Sequence, residues 1–445
     1  MRVPASCVPG IVWPGISSRF GAWMLAMQFQ LERSQWWPAE RIREFQFKQL
    51  LELLNHAIKS VPAYAECPPF DGTDTSAFAS WPILRKADLV NCDTRFRASV
   101  WPKQHGREVS TSTTGSTGQP VRLHCTHGGA MITHAMILRE MLWHTLDFSG
   151  KLASINPRLE ERDFPNWGPM PAAFFPTGPA VTLDIGTDID CQLKWLLREG
   201  PRYLRTRPSN LRALLLHNRQ SRQEEPAALE AVFLQSEAMA PDLRSLAREV
   251  WNVPLIDIYS CAEFGAIALQ CPEHEHYHVQ SESVYVEVLR DDGSPCSPGE
   301  VGRVIVTSLH NFAMPLIRYE LGDYAEVGEP CPCGRGLPVL KRIMGRVRNM
   351  ACDPTGRRFW PSFYAPLWLE VAPIRQLRLG QHTPARIEIM YVLERVLERG
   401  EEEHLAGNLR KSLGYAFDFT FHRVGEISRK PNEKFEEFVS LIPNE

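Results

Sequence analysis

The chain has 445 residues, too many for one small core, and this length sets an expectation of about two or three domains. Its 44% hydrophobic and 23% charged content is ordinary for a soluble globular protein. A formal net charge of -3 offers no field for nucleic acid or an anionic membrane, so both classes of partner are set aside.

The first residues, MRVPASCVPGIVWPGISSRFGAWMLAM, are apolar in patches. Pro9, Gly10, Pro14 and Gly15 interrupt each run, and Arg2 alone could serve a charged leader, which fits a secretory signal poorly. No segment reaches the ~18–20 uninterrupted apolar residues of a spanning helix. The expectation is a cytoplasmic protein. Eleven cysteines at irregular spacing, without a leader, argue against a disulfide framework.

From Pro38 to about Val61, Leu50, Leu53, Leu54 and Ala57 fall at i, i+3, i+4 and i+7, marking a helix with one buried face. A Pro- and Gly-bearing stretch then leads to STTGSTGQP, Ser112 to Pro120, which holds no apolar residue. Such a cluster is ordinarily a polar loop. Gly115 and Gly118 would also let backbone N–H groups converge on an anion, with Ser116 and Thr117 adding hydroxyl donors. It lacks the lysine of the Walker pattern, and no strand–loop–helix context is legible around it.

Residues 121–345 alternate helix-like and strand-like patterns, the signature of α/β layers. In PDLRSLAREV, Leu243, Leu246, Ala247 and Val250 form a helical stripe, and VPLIDIY reads as a buried strand. SVYVEVL puts Val284, Val286 and Val288 on one face, and GRVIVTSL follows after the turn-rich DDGSPCSPGE, predicting an antiparallel pair. After Arg346, RIEIMYVL predicts a strand, and EEEHLAGNLRKSL a helix with Leu405, Leu409 and Leu413 inward. YAFDFTF alternates Tyr415, Phe417, Phe419 and Phe421 as a further strand, enough for a small α+β domain. The expected fold is α/β, with domains at 1–346 and 347–445 and a hinge near Gly345–Asn349.

The order of motifs carries more than any one of them. STTGSTGQP is followed by LQSEAMA, DIYSCAEFGAIALQC, AMPLIRYELGDYA, IMGRVRN and ISRKPNEKF. This series resembles the adenylate-forming ligases, and within them the phenylacetate–CoA ligase-like branch, from about Leu31 to Ser440. The resemblance implies the adenylate-forming fold, with a small mobile C-terminal domain. It also implies ATP-dependent activation of a carboxylic acid to acyl-AMP.

Carried over residue by residue, the resemblance makes Thr113, Thr114, Gly115, Ser116, Thr117 and Gly118 the grip on the ATP phosphates, with Thr114 where the family has serine. Ser236 and Glu237 match the segment lining the adenine pocket. Tyr259, with Ser260 beside it, matches the aromatic that stacks on adenine, and Glu263 the carboxylate that helps hold Mg²⁺, a cation suited to oxygen ligands. Asp323 would accept from the ribose hydroxyls, and Arg346 matches the hinge arginine. Lys434 matches the lysine that completes the adenylating site, where a cation stabilises charge spreading over the phosphoryl oxygens. Glu433 replaces the usual glycine before that lysine, and Arg348 stands where many members have aspartate.

The acceptor is read less sharply: an amine or alcohol is slightly favoured over coenzyme A, because no basic signature for its 3′-phosphate stands out. An aryl-CoA ligase is the alternative, and a nucleotide-binding pseudoenzyme or scaffold the alternative of another class. The acid is expected to be aromatic, and a homodimer is left open. Finally, Cys271 in CPEHEHYHV and Cys331 and Cys333 in EPCPCGRGLP could join a histidine in a structural zinc site. By the resemblance His278 is the preferred fourth ligand and His276 the reserve, while His274 is too near Cys271.

Overall fold

The computed structural model describes residues 6–72, 75–112, 121–361, 363–364, 366–427 and 436–442. The chain forms two compact units, one of residues 1–149, 165–179 and 258–343, the other of 150–164, 180–257 and 344–445.

In the first unit the helix Ala39–Ser60 buries Leu50, Leu53, Leu54 and Ala57 completely, the face that the apolar spacing defines. Its antiparallel strands neighbour one another in the order Val284–Leu289, Val301–Ser308, Tyr319–Val327, Val339–Arg346, Tyr277–Val279 and Gly265–Gln270. The Val284–Leu289 and Val301–Ser308 pair is in register, Val284 opposite Ser308 and Leu289 opposite Arg303. Val284, Val286 and Val288 join one apolar cluster, the shared face that their spacing defines, and Tyr285 packs on Phe47 and Phe78, so both faces are covered.

The strands Glu108–Ser112 and Arg122–Thr126 pair antiparallel, Ser112 opposite Arg122. The helix His127–Trp143 starts directly after them, with the Thr126 hydroxyl accepting from Gly129 N–H at 3.1 Å. The Ser/Thr/Gly stretch therefore connects two paired strands that lead into a helix, a context the local sequence did not disclose.

The second unit is built on parallel strands, in the order Ala180–Asp184, Leu152–Asn156, Tyr203–Thr206, Ala231–Leu234 and the start of Leu255–Cys261, with Arg162–Phe164 antiparallel at the edge. All four side chains of Ala231–Leu234 are buried, as a strand covered on both faces requires. The helix Ile189–Glu199 is capped by Asp188, which accepts from Asp190 N–H at 2.9 Å, and ends on Gly200 at φ +53°.

Residues 344–445 of this unit add a four-stranded sheet, in the order Asp418–Val424, Arg386–Val392, Gln376–Thr383 and Phe438–Ser440. The helix Arg399–Leu413 buries Leu405, Leu409 and Leu413. The strand expected over YAFDFTF begins only at Asp418, because Phe417 is fully buried ahead of it and takes no part in the ladder. Among the described residues no helix is long and apolar enough to cross a membrane, and the ten cysteines whose side chains are described are free.

Candidate functional site

Two of the expected contributors lie outside the described residues: the phosphate loop Thr113, Thr114, Gly115, Ser116, Thr117 and Gly118, and Lys434 with its neighbour Glu433. The others are found in both units, and each unit is built separately.

In the first unit Tyr259 and Ser260 lie on the strand Leu255–Cys261, and Glu263 lies in the turn that reverses into Gly265–Gln270. The tightness of that turn has a steric origin. Gly265 adopts φ +68°, and a Cβ built there would lie 2.3 Å from Thr133 Cγ2 on the His127–Trp143 helix. Only glycine fits both the conformation and the space. Tyr259 is 8% exposed, and its phenol donates to Asp323 Oδ2 at 3.1 Å. Asp323 follows Gly322, at φ +78°, within the strand Tyr319–Val327. Glu263 is half-buried. Burial, reinforced by the Glu263 carboxylate, pushes the Cys261 thiol well above its ordinary value, so it stays protonated.

In the second unit Ser236 and Glu237 follow the strand Ala231–Leu234, and Ser236 holds φ +74°, a left-handed conformation uncommon outside glycine. The Glu237 carboxylate, only 5% exposed, accepts from Ser209 N–H at 3.1 Å and faces Arg207 Nη1 at 3.7 Å. It therefore anchors on the first turn of the helix Pro208–Ser221, where helix N–H groups favour an anion. Burial depresses the Arg207 guanidinium and Glu237 opposes that shift. Arg346 ends the strand Val339–Arg346, and its N–H donates to Asn349 Oδ1 at 3.2 Å. Gly345, at φ +97°, approaches the Ser236–Glu237 loop: a Cβ built on it would lie 3.8 Å from that of Ala238. The segment expected to line the adenine pocket and the backbone just before Arg346 are thus neighbours within this unit. Arg207 and Ser209 had no signal in the sequence, since an arginine before a helix-starting proline is unremarkable.

A second constellation lies in the first unit. The ligand atoms of Cys271, His276, His278 and Cys331 all fall within 4.8 Å of one another. The Cys271 and Cys331 sulfurs are 3.8 Å apart, and Cys333 Sγ lies 3.5 Å from His278 Nε2. A tetrahedral site with Zn–S of about 2.3 Å and Zn–N of about 2.05 Å has S–S edges of about 3.8 Å and S–N edges of about 3.5 Å. His278 is fully buried, and its Nδ1 faces the Leu337 carbonyl at 3.5 Å. Burial pushes its pKa down to about 3, so the imidazole is neutral and able to ligate. His276 Nε2 is buried with no hydrogen-bond partner among the described residues, and both histidines of the expectation reach the site. Arg335, whose Nη1 lies 3.4 Å from Cys333 Sγ, is sandwiched by Trp36 and Trp143.

No family model matches the chain. It is 24% identical to the phenylacetate-coenzyme A ligase of Thermus thermophilus, over 91% of this chain and 97% of that one. Among solved structures, a 2-hydroxyisobutyryl-CoA ligase holding an acyl-AMP aligns over 92% of this chain and 91% of its own, at TM-score 0.74 and 16% identity. The amide bond synthetase of Marinactinospora thermotolerans aligns over 73% of this chain and 66% of its own, at TM-score 0.50 and 17% identity.

The fold is therefore that of the adenylate-forming ligases. Within that class the chain is similar along almost its whole length to phenylacetate–CoA ligase, the branch that the ordered motifs resemble.

Proposed function

We propose that the protein activates a carboxylic acid, aromatic by its likeness to phenylacetate–CoA ligase, with Mg·ATP and passes the acyl group to coenzyme A. In the first step a carboxylate oxygen bonds to the α-phosphorus while the bond to the β-phosphate breaks, giving acyl-AMP and pyrophosphate. In the second, the thiolate of coenzyme A attacks the acyl carbon and AMP departs with its oxygen. The thiol proton passes to solvent.

The observation that carries this reading is the Tyr259–Asp323 hydrogen bond. It ties an aromatic suited to adenine to a carboxylate suited to ribose hydroxyls, with Glu263 four residues from the aromatic. Glu263 would hold Mg²⁺, which supplies neutralising charge to the phosphates. The Thr113–Gly118 loop would grip the phosphates that leave, and Lys434 would meet the charge developing at the α-phosphate. Residues 347–445 are proposed to move as a body between the two steps.

Coenzyme A is favoured as acceptor because both the phenylacetate-coenzyme A ligase and the 2-hydroxyisobutyryl-CoA ligase carry it in their names. An amine acceptor is the second reading, supported by the likeness to an amide bond synthetase. The zinc reading belongs here too: Cys271, Cys331, Cys333 and His278, with His276 in reach, would hold a structural Zn²⁺ with no open position.

The test is a panel of carboxylic acids assayed for acid-dependent pyrophosphate release with hydroxylamine trapping, then mass spectrometry with coenzyme A and amines. Acyl hydroxamate from at least one acid is expected. ATP binding with no release across the panel would leave a nucleotide-binding scaffold in its place.

A further inference from the structure

Arg212, in the helix Pro208–Ser221, is 6% exposed. Its Nη1 donates to Asp242 Oδ2 at 3.2 Å and its Nη2 to Asp242 Oδ1. The same guanidinium presents Nε to Glu437 Oε1 at 3.3 Å and lies 5.9 Å from the Trp368 ring centroid. One residue earlier, Glu436 accepts from Arg348, 3.0 Å from Nε and 2.8 Å from Nη2. Two consecutive carboxylates are thus each held by an arginine. One arginine comes from a helix of the parallel-sheet region, the other from the expected hinge. Within residues 347–445, the Asn349 side chain donates from Nδ2 to Phe438 O at 2.9 Å, and Leu379 N–H to Glu437 O at 2.7 Å.

The two pairs differ in what breaking them costs. Asp242 grips Arg212 with both oxygens, so withdrawal of Glu437 leaves the buried guanidinium paired. Burial pushes Glu437 up, and Arg212 holds it back down, while the Asp242 and Glu237 carboxylates add to the push. Arg212 is thus the cation that faces the Glu437 carboxylate, which can leave without orphaning its partner. Arg348, where many relatives carry aspartate, is explained by Glu436: an aspartate there would repel that carboxylate.

We infer that Arg212 and Arg348 are positioning residues for the adenylating step: Arg212 seats Glu437, three residues beyond Lys434, and releases it for acyl transfer, while Arg348 holds Glu436, two residues beyond Lys434, in place within the body that moves. This rests on the adenylation reading above. The Arg212–Glu437 pair holds one state of a two-step cycle, and Arg348 shapes the segment that this state presents, so both act on one half-reaction and not on the other.

The test uses the full chain with Arg348→Glu, Glu436→Arg, their double exchange and Glu437→Gln. Each is assayed for pyrophosphate release and for transfer from supplied acyl-adenylate to coenzyme A, with thermal melting as a check on folding. Arg348→Glu is expected to slow pyrophosphate release roughly tenfold, the exchange to recover most of that loss, and Glu437→Gln to slow release in the same direction. Transfer from supplied acyl-adenylate should be unchanged or faster in all of them. Equal slowing of both steps, no slowing of either, or no recovery in the exchange would overturn the inference while leaving the adenylation reading intact. A wild-type protein that releases no pyrophosphate with any acid would remove the adenylation reading and this inference with it.

Discussion

Tyr259 donates its phenol proton to Asp323 Oδ2 across 3.1 Å, joining positions 64 residues apart in sequence. The bond fixes the tilt of the aromatic ring and occupies one carboxylate oxygen. The φ of +78° at Gly322 shapes the backbone that presents that carboxylate. A Cβ at Gly322 would meet no atom within 4 Å, so conformation and not crowding calls for glycine there. If Tyr259 and Asp323 serve adenine and ribose as proposed, a pair that hold each other would need no reordering when nucleotide arrives.

Tyr259→Phe keeps the ring and deletes the donor. A hydrogen bond to a charged acceptor contributes about 1.5–3 kcal/mol, and part of that appears as preorganisation for nucleotide. ATP affinity, measured by calorimetry, is expected to fall roughly tenfold, about 1.4 kcal/mol. Unchanged affinity would mean that the pair serves the fold alone.

Protein purified without added zinc is expected to carry close to one equivalent by metal analysis. Cys271→Ser and Cys331→Ser should each lose it, because removing one thiolate opens a closed tetrahedral site. A strong chelator should lower the melting temperature of the native protein and leave the variants unmoved. Metal content well under one equivalent would sink the assignment and leave the cluster as reduced thiols and imidazoles.

Much of this was legible in the sequence, and the reasons it stopped are specific. Helical stripes such as Leu243, Leu246, Ala247 and Val250 are self-contained signals, and all four are buried. The hairpin Val284–Leu289 with Val301–Ser308 declared itself through its turn residues. What the alternation of that first strand could not disclose is the cover on its other side, which Phe47 and Phe78 supply from distant sequence. Tyr259 and Asp323 were each legible through their motifs, but not their bond. Arg212, Arg207 and Asn349 had no signal at all, since their meaning depends on partners up to hundreds of residues away.

Gly265→Ala offers a test of the turn that carries Glu263. The new Cβ meets Thr133 Cγ2 at 2.3 Å and must also hold φ +68°, so two penalties combine. Destabilisation by about 2–4 kcal/mol is expected, read as a lower midpoint in urea with the slope unchanged. Adding Thr133→Ser deletes the clashing methyl and should return the steric part but not the backbone part. A double variant as unstable as the single one would place the whole cost in the backbone.

Lys434→Ala addresses the chemical step directly. In the ground state the acid carboxylate and the α-phosphate are both anionic, and attack spreads further charge over the phosphoryl oxygens. A cation delivered there stabilises the transition state more than bound ATP. Loss of one such preorganised group costs about 10²–10³ in rate. Pyrophosphate release should fall by that factor while ATP affinity changes little. Transfer from supplied acyl-adenylate to coenzyme A should persist, because that step forms its bond at the acyl carbon, and the leaving AMP needs no new charge at phosphorus. Full adenylation in Lys434→Ala would assign the role to another cation, with Arg346 the first to examine, since it ends the strand that leads into the expected hinge.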